Sequence, residues 1–218
     1  MAITFTISAR CRSSGARAGR IVTPHGAFET PVFMPVGTRA SIKGLTPAQV
    51  AGTGSHIILN NAYHLMLRPG DEIIARHGGV HAFMRWEGPI LTDSGGYQAF
   101  SMSDINAVGE DGVTFRSIID GASVHLGPER SMQVQRNLGA DIIMALDDCP
   151  PAVDPRLAAG RPTAEPTAAD TDHRPRLLAA HERTVRWLDR CIAAHRTPDR
   201  QALFGIVQGG PDLELRRR

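Results

Sequence analysis

Residues 142–149 read Ile142-Ile143-Met144-Ala145-Leu146-Asp147-Asp148-Cys149. An unbroken apolar run of this length is the pattern of a strand buried on both faces, as in a parallel sheet covered by helices. Two carboxylates follow where such a strand would emerge. The design recurs. Ile90-Leu91-Thr92 leads into Asp93-Ser94-Gly95-Gly96-Tyr97-Gln98, and Phe204-Gly205-Ile206-Val207 leads into Gln208-Gly209-Gly210. Further short apolar runs stand at 32–34 and 57–59. Between the runs, helical spacing occurs at 46–53, 72–77, 132–138 and 176–195, and Thr46-Pro47 fits an N-cap followed by proline at the first helical position. This alternation predicts an α/β fold with a parallel sheet and about five βα units. A closed parallel barrel has eight strands and about 250 residues. Five would leave an open edge, so the sheet is either open or a portion of a larger barrel.

Outward from this body, residues 3–8 alternate as a strand should, 19–23 form a second run, and Pro24-His25-Gly26 is a turn before 27–35. This predicts a small amino-terminal antiparallel hairpin or sheet over 1–31, ahead of a βα body over 32–218. Residues 150–175 hold six prolines and many alanines with little apolar periodicity, the pattern of a flexible inserted loop. The helix at 176–195 then offers Leu177, Leu178, His181, Val185, Leu188 and Ile192 as a stripe for core packing.

Of the 218 residues, 42% are hydrophobic and 21% charged, enough to bury a core and against global disorder. No apolar run approaches the roughly 20 residues of a membrane span. The first twenty residues lack the apolar stretch of a secretory signal, so a soluble cytoplasmic protein is expected. Cys11, Cys149 and Cys191 are far apart and unpaired in spacing, which argues against a disulfide framework or a cysteine-rich zinc site within this chain. A net charge of +2 does not announce a nucleic-acid binder. Of the 24 basic residues only Lys43 is lysine; compositional bias explains that, and so would arginine forks on phosphate.

Polar groups at the carboxyl ends of parallel strands converge on one face, where α/β proteins bind ligands. Asp93 and Asp147 can accept hydrogen bonds from N–H donors, Gln208 can donate to a carbonyl, and Tyr97 offers a flat ring. Such a pocket suits a flat heterocycle with adjacent N–H donors and a carbonyl, guanine being the obvious candidate. It would also discriminate against bases lacking those donors. Singly, each residue has a plainer reading. An aspartate at a strand end is often the N-cap of the next helix, and Asp148 is read that way. Tyr97 alone is a core residue, Gly95-Gly96 a turn, His64 a structural histidine, and Cys149 a small buried group. The set Asp93, Asp147 and Gln208 is what points to function.

Five segments, taken together, resemble the queuine tRNA-ribosyltransferase (tRNA-guanine transglycosylase) family: Thr30-Pro31-Val32-Phe33-Met34-Pro35-Val36-Gly37-Thr38; Asn61-Ala62-Tyr63-His64-Leu65 with Arg68-Pro69-Gly70; Asp93 to Gln98; Asp147-Asp148-Cys149; and Phe204 to Gly209. The resemblance implies a (β/α)8 TIM-barrel type with an amino-terminal antiparallel sheet. It implies exchange of guanine at the anticodon wobble position of tRNA for a 7-deazaguanine queuosine precursor, through a covalent ribosyl–enzyme intermediate and two displacements. By position, Asp93 matches the base-contacting proton acceptor, and Asp147 the residue that reads the guanine N–H edge. Gln208 and Gly209 match the segment facing the base carbonyl, Tyr97 the stacking ring, and Ser94, Gly95 and Gly96 the substrate loop. Val36, Leu59 and Asn61 match positions near the ribose. Ala62 stands where the family has threonine, and Asp148 where it has glutamate.

The family's covalent aspartate, its glycine-rich LAVG-type loop and its Cys/Cys/Cys/His zinc site belong to later segments. No cofactor is therefore expected here, the family's homodimer is in question, and the chain is expected to be inactive alone. Two other readings remain: a purine-binding or complementing fragment paired with a separate carboxyl-terminal chain, or one without function; and an unrelated α/β hydrolase or sugar enzyme using Asp93 and Asp147. No serine elbow or phosphate loop supports the last.

Overall fold

The computed structural model describes residues 3–101, 106–150 and 173–218. Most of the loop expected at 150–175 lies outside them. Its last two residues correct the reading, because the following helix already begins at Arg174.

The chain opens with β1 (Thr4–Arg10), β2 (Arg17–Thr23) and β3 (Gly26–Thr30), an antiparallel meander in the order β1-β2-β3. It is one strand more than a hairpin. The segment 32–34, expected as the first parallel strand, forms no ladder. Only Val36 bridges, in parallel, to Leu59. The parallel sheet contains β4 (Ile58–Asn60), β5 (Ile90–Thr92), β9 (Ile142–Met144) and β10 (Ala202–Phe204), ordered β10-β9-β5-β4. With Val36 beside β4, the spatial order follows the chain order across the whole sheet.

Helices occupy the connections: α1 (Pro47–Gly52), α2 (Ala62–Leu67), α3 (Asp71–Arg76), α4 (Gly79–Met84), α5 (Gly96–Ser101), α6 (Pro128–Leu138) and α7 (Arg174–Ala194). The Thr46 hydroxyl accepts from the Gln49 N–H and the Gln49 side chain returns a bond to the Thr46 N–H, a capping box that starts α1 where the sequence predicts it. No helix among the described residues is long and apolar enough to cross a membrane.

A second antiparallel sheet, β6 (Asn106–Val108), β7 (Val113–Arg116) and β8 (Ser123–Leu126), sits between α5 and α6. Its short strands carry no clear period-2 pattern, so the sequence reading leaves that stretch unassigned. Gly112 makes the first turn possible. It has φ +146°, and a β-carbon there would lie 2.5 Å from the Leu126 carbonyl oxygen.

The main core runs from α2 and α6 to α7, with Tyr63, Phe115, Leu138 and Trp187 fully or almost fully buried. A smaller cluster joins Phe28 of β3 to Ile57 and Ile142, so the amino-terminal sheet covers the amino ends of the parallel strands.

Helix α7 corrects a prediction. Its buried face is Leu177, Ala180, Thr184, Trp187 and Cys191, whereas Val185 and Ile192 are 48% and 58% exposed. Small residues let α7 approach α6 closely, and polar anchors described below fix its rotation. Both override a stripe chosen by side-chain size alone.

Candidate functional site

Strand β5 pairs in parallel with β9, and β9 with β10, through Leu91–Ile142, Thr92–Ile143 and Phe204–Met144. Asp93 follows β5 directly, Asp147 lies just past β9 and Gln208 just past β10. All three leave the same edge of the sheet. The loop after β5 touches the loop after β9, since a β-carbon on Gly96 would lie 3.2 Å from the Asp147 carbonyl oxygen. Gln135 of α6 braces this edge. Its Oε1 accepts from the Met144 N–H at 2.9 Å and the Thr92 hydroxyl at 3.1 Å, and its Nε2 donates to the Met144 carbonyl at 2.8 Å.

The two acids are held very differently. The Asp93 carboxylate accepts from the Ala62 N–H at 2.8 Å, the Gly95 N–H at 3.2 Å, Gln98 Nε2 at 2.9 Å and Asn61 Nδ2. Burial pushes its pKa above the usual carboxylate range, against the pull of those four donors. Asn61, read from the sequence as a ribose neighbour, and Gln98, given no role there, are thus the residues that orient Asp93.

Asp147 is 8% exposed, and its one side-chain hydrogen bond among the described residues is from Gln208 Nε2, at 2.5 Å. Burial raises its pKa to about 6, helped by the neighbouring Asp148 and opposed by the Gln208 bond.

Asp148 is no simple N-cap. Fully buried, it accepts from Arg176 Nη1 at 2.9 Å, from Arg176 Nη2 at 2.5 Å and from Arg183 Nη1, while its N–H donates to the Thr184 hydroxyl at 3.1 Å. These bonds fasten α7 to the end of β9. Other arginines are likewise committed within the fold, Arg130 to Asp71 and Arg190 to Glu129.

Tyr97 is not core; it stands 63% exposed on α5 beside Asp93. Ser94 is buried, its hydroxyl accepts from the Gly96 N–H, and its carbonyl accepts from the Ser131 hydroxyl. Gly95 has φ +81°, a turn that lets its N–H face back to Asp93. Gly209 has φ +115°, and a β-carbon there would lie 2.8 Å from the Arg216 nitrogen, so only glycine fits after Gln208.

Alongside this edge runs a basic cleft of Val36, Thr38, Arg39, Ser41, Lys43 and His64. Burial, then the Arg39 charge, lower the His64 pKa, and Asp93 pulls the other way. Five of its residues come from the single loop between β3 and α1, and His64 comes from α2.

The sequence profile of the queuine tRNA-ribosyltransferase family matches residues 11–218. The chain belongs to that family. It is 53% identical over 219 aligned residues to a queuine tRNA-ribosyltransferase of Moorella thermoacetica, covering 100% of this chain and 53% of that protein. Against the proteins of the same name from Acetivibrio thermocellus and Nostoc sp., it is 49% and 52% identical, covering 100% and 99% of this chain and 53% and 52% of those proteins. The chain thus spans about half the length of the curated relatives it matches. The three cysteines stand apart: Cys11 is exposed, Cys149 half-buried and Cys191 buried, and no cysteine joins a cluster of metal-ligating side chains among the described residues.

Proposed function

We propose that this chain carries the base-recognition half of a tRNA-guanine transglycosylase, a pentosyltransferase acting on the anticodon wobble base of cytoplasmic tRNA. The observation that carries this reading is the Asp147–Gln208 pair. A carboxylate and an amide with no other side-chain hydrogen bond among the described residues close on each other at the strand ends. A guanine or 7-deazaguanine inserted between them would give its N–H edge to Asp147 and take the Gln208 amide on its carbonyl, with Tyr97 stacked on its face. The Ser94–Gly96 loop and Gly209 would let the base approach the backbone.

Asp93 is the proposed proton acceptor and base contact. Asn61 and Gln98 both donate to its Oδ2, so release of both bonds would free that oxygen for the role. The basic cleft of Arg39, Lys43 and His64 is the proposed seat of a tRNA phosphate. The retaining chemistry needs a nucleophilic aspartate, which the family resemblance places in a later segment, so base binding is the activity proposed for these residues alone.

The chain-ordered parallel sheet supports one side of a (β/α)8 barrel that continues from β10, whose outer edge pairs with no described strand. Those strands would come from a later part of the same polypeptide or from a complementing chain.

Equilibrium dialysis with labelled guanine and adenine tests the reading. Guanine is expected to bind, adenine far more weakly, and Asp147→Asn to remove the difference. Equal binding of both bases would overturn it.

A further inference from the structure

A second polar cluster lies at the other end of the parallel strands, away from the proposed base pocket. Asp141 immediately precedes β9, and its carboxylate is wholly shielded from solvent. Its Oδ1 lies 2.7 Å from Nδ1 of His25, on the β2–β3 turn, and its Oδ2 lies 3.1 Å from Nε2 of His81, on α4. The Ile90 N–H also donates to Oδ2, at 2.9 Å. The two imidazoles stack, with centroids 3.7 Å apart and planes 16° apart. The three ligand atoms lie within 4.8 Å of one another.

Among the described residues, no arginine or lysine pairs with Asp141. A buried carboxylate calls for compensating positive charge. One divalent cation supplies that charge. It also uses the three atoms that already converge, each ring keeping its remaining proton on the nitrogen that faces away.

We propose that His25, His81 and Asp141 form a transition-metal site that fastens the amino-terminal sheet to the amino ends of β5 and β9. Imidazole nitrogens with one carboxylate suit zinc, cobalt or nickel rather than magnesium or calcium. Metal–ligand bonds of about 2.0–2.2 Å at tetrahedral angles put donor atoms roughly 3.3 Å apart and the two ring centroids about 5 Å apart. The nitrogen–oxygen separations of 2.7 and 3.1 Å must therefore open slightly, and the rings, now stacked at 3.7 Å, must splay. His25, 41% exposed, has room to make that adjustment. A cleft lined by His25, His56, Trp86 and Glu87 gives a route in and leaves space for water as a fourth ligand. The carboxylate is already oriented by the Ile90 N–H, as an outer contact orients a metal ligand.

The test is calorimetric titration of the chelator-stripped 218-residue chain with zinc chloride, in a Cys11→Ser background that removes the exposed thiol. One tight equivalent is expected, weakened at least about tenfold by His25→Gln and by His81→Gln, and unchanged by His56→Gln. Zinc should raise the melting temperature of the parent but not of His25→Gln. Cobalt(II) should give the visible absorption of a tetrahedral site in the parent alone. Retention of the equivalent in His25→Gln would overturn the proposal, as would its loss on Cys11→Ser alone. Should His81→Gln fail to fold, the more exposed His25 decides the question by itself.

Discussion

Asp147 and Asp148 are neighbours in the chain, yet they belong to two different regions. Asp147 stands at the strand ends and meets a single neutral amide. Asp148 points into the seam between β9 and α7 and meets two guanidinium groups. Desolvation acts on both. In the seam it is offset by charge-assisted hydrogen bonds, so the acid serves as an anchor. At Asp147 only a neutral amide opposes it, and the pKa rises to about 6. An acid that its own fold satisfies holds structure; one left short of donors is available to a ligand that brings them.

The sharpest way to break this comparison is Asp148→Ala, which leaves Arg176 and Arg183 without their shared carboxylate. A loss of about 3–5 kcal/mol in unfolding free energy is expected, read as a lower urea midpoint. An unchanged midpoint would remove the seam from the argument.

Asp147→Asn should do the reverse. Guanine affinity at neutral pH should fall about 100-fold, because an amide cannot accept from both base N–H groups. Stability should hold or rise slightly. If this variant loses stability and keeps its affinity, the two roles have been exchanged.

The third effect is pH dependence. Only ionised Asp147 accepts from two N–H donors, so guanine affinity should rise about tenfold between pH 5 and pH 7, and dialysis across that range should show no such rise in Asp147→Asn. The stability trend has the opposite sign. The folded pKa is about 6, above the ordinary carboxylate value of 3.8, so the folded state holds the proton more tightly. This contribution is complete below about pH 4 and is lost as pH rises through about 6. Urea midpoints of the parent and Asp147→Asn should therefore converge toward low pH.

The smallest effect expected is that of Tyr97→Ala, about a fivefold loss of guanine affinity through lost stacking, with Tyr97→Phe close to the parent. Because Tyr97 is largely exposed, neither change should move the melting temperature by more than a degree or so.

Legibility from the sequence followed chain distance. The apolar runs at 90–91 and 142–146 announced β5 and β9, since continuous burial on both faces leaves an unbroken apolar signature. The run at 203–207 announced β10 less well: the strand is Ala202–Phe204, half-buried, and Gly205–Val207 lie outside it. Thr46-Pro47 announced α1 because a cap is a local bond. The six-residue helices α2, α4 and α5 were not legible, since one and a half turns carry too little periodicity. The sheet β6–β8 was hidden for the same reason. The rotation of α7 was legible in part: Leu177 and Leu188 pack inward as the stripe predicts, while Ala180, Thr184, Trp187 and Cys191 complete the buried face and Val185 and Ile192 turn outward.

For the site, the identity of the strand-end acids was readable, and so was their family. Their unequal treatment was not. Arg176 and Arg183 reach Asp148 from 28 and 35 residues away, and Asn61 reaches Asp93 from 32. Local order by itself determined that parallel strands would end in polar groups on one face, because side-chain hydrophobicity and turn chemistry act over a few residues. Only the tertiary structure decided which of those groups is met by guanidinium groups and which by a single neutral amide, because a hydrogen bond depends on distance in space, which no spacing along the chain encodes.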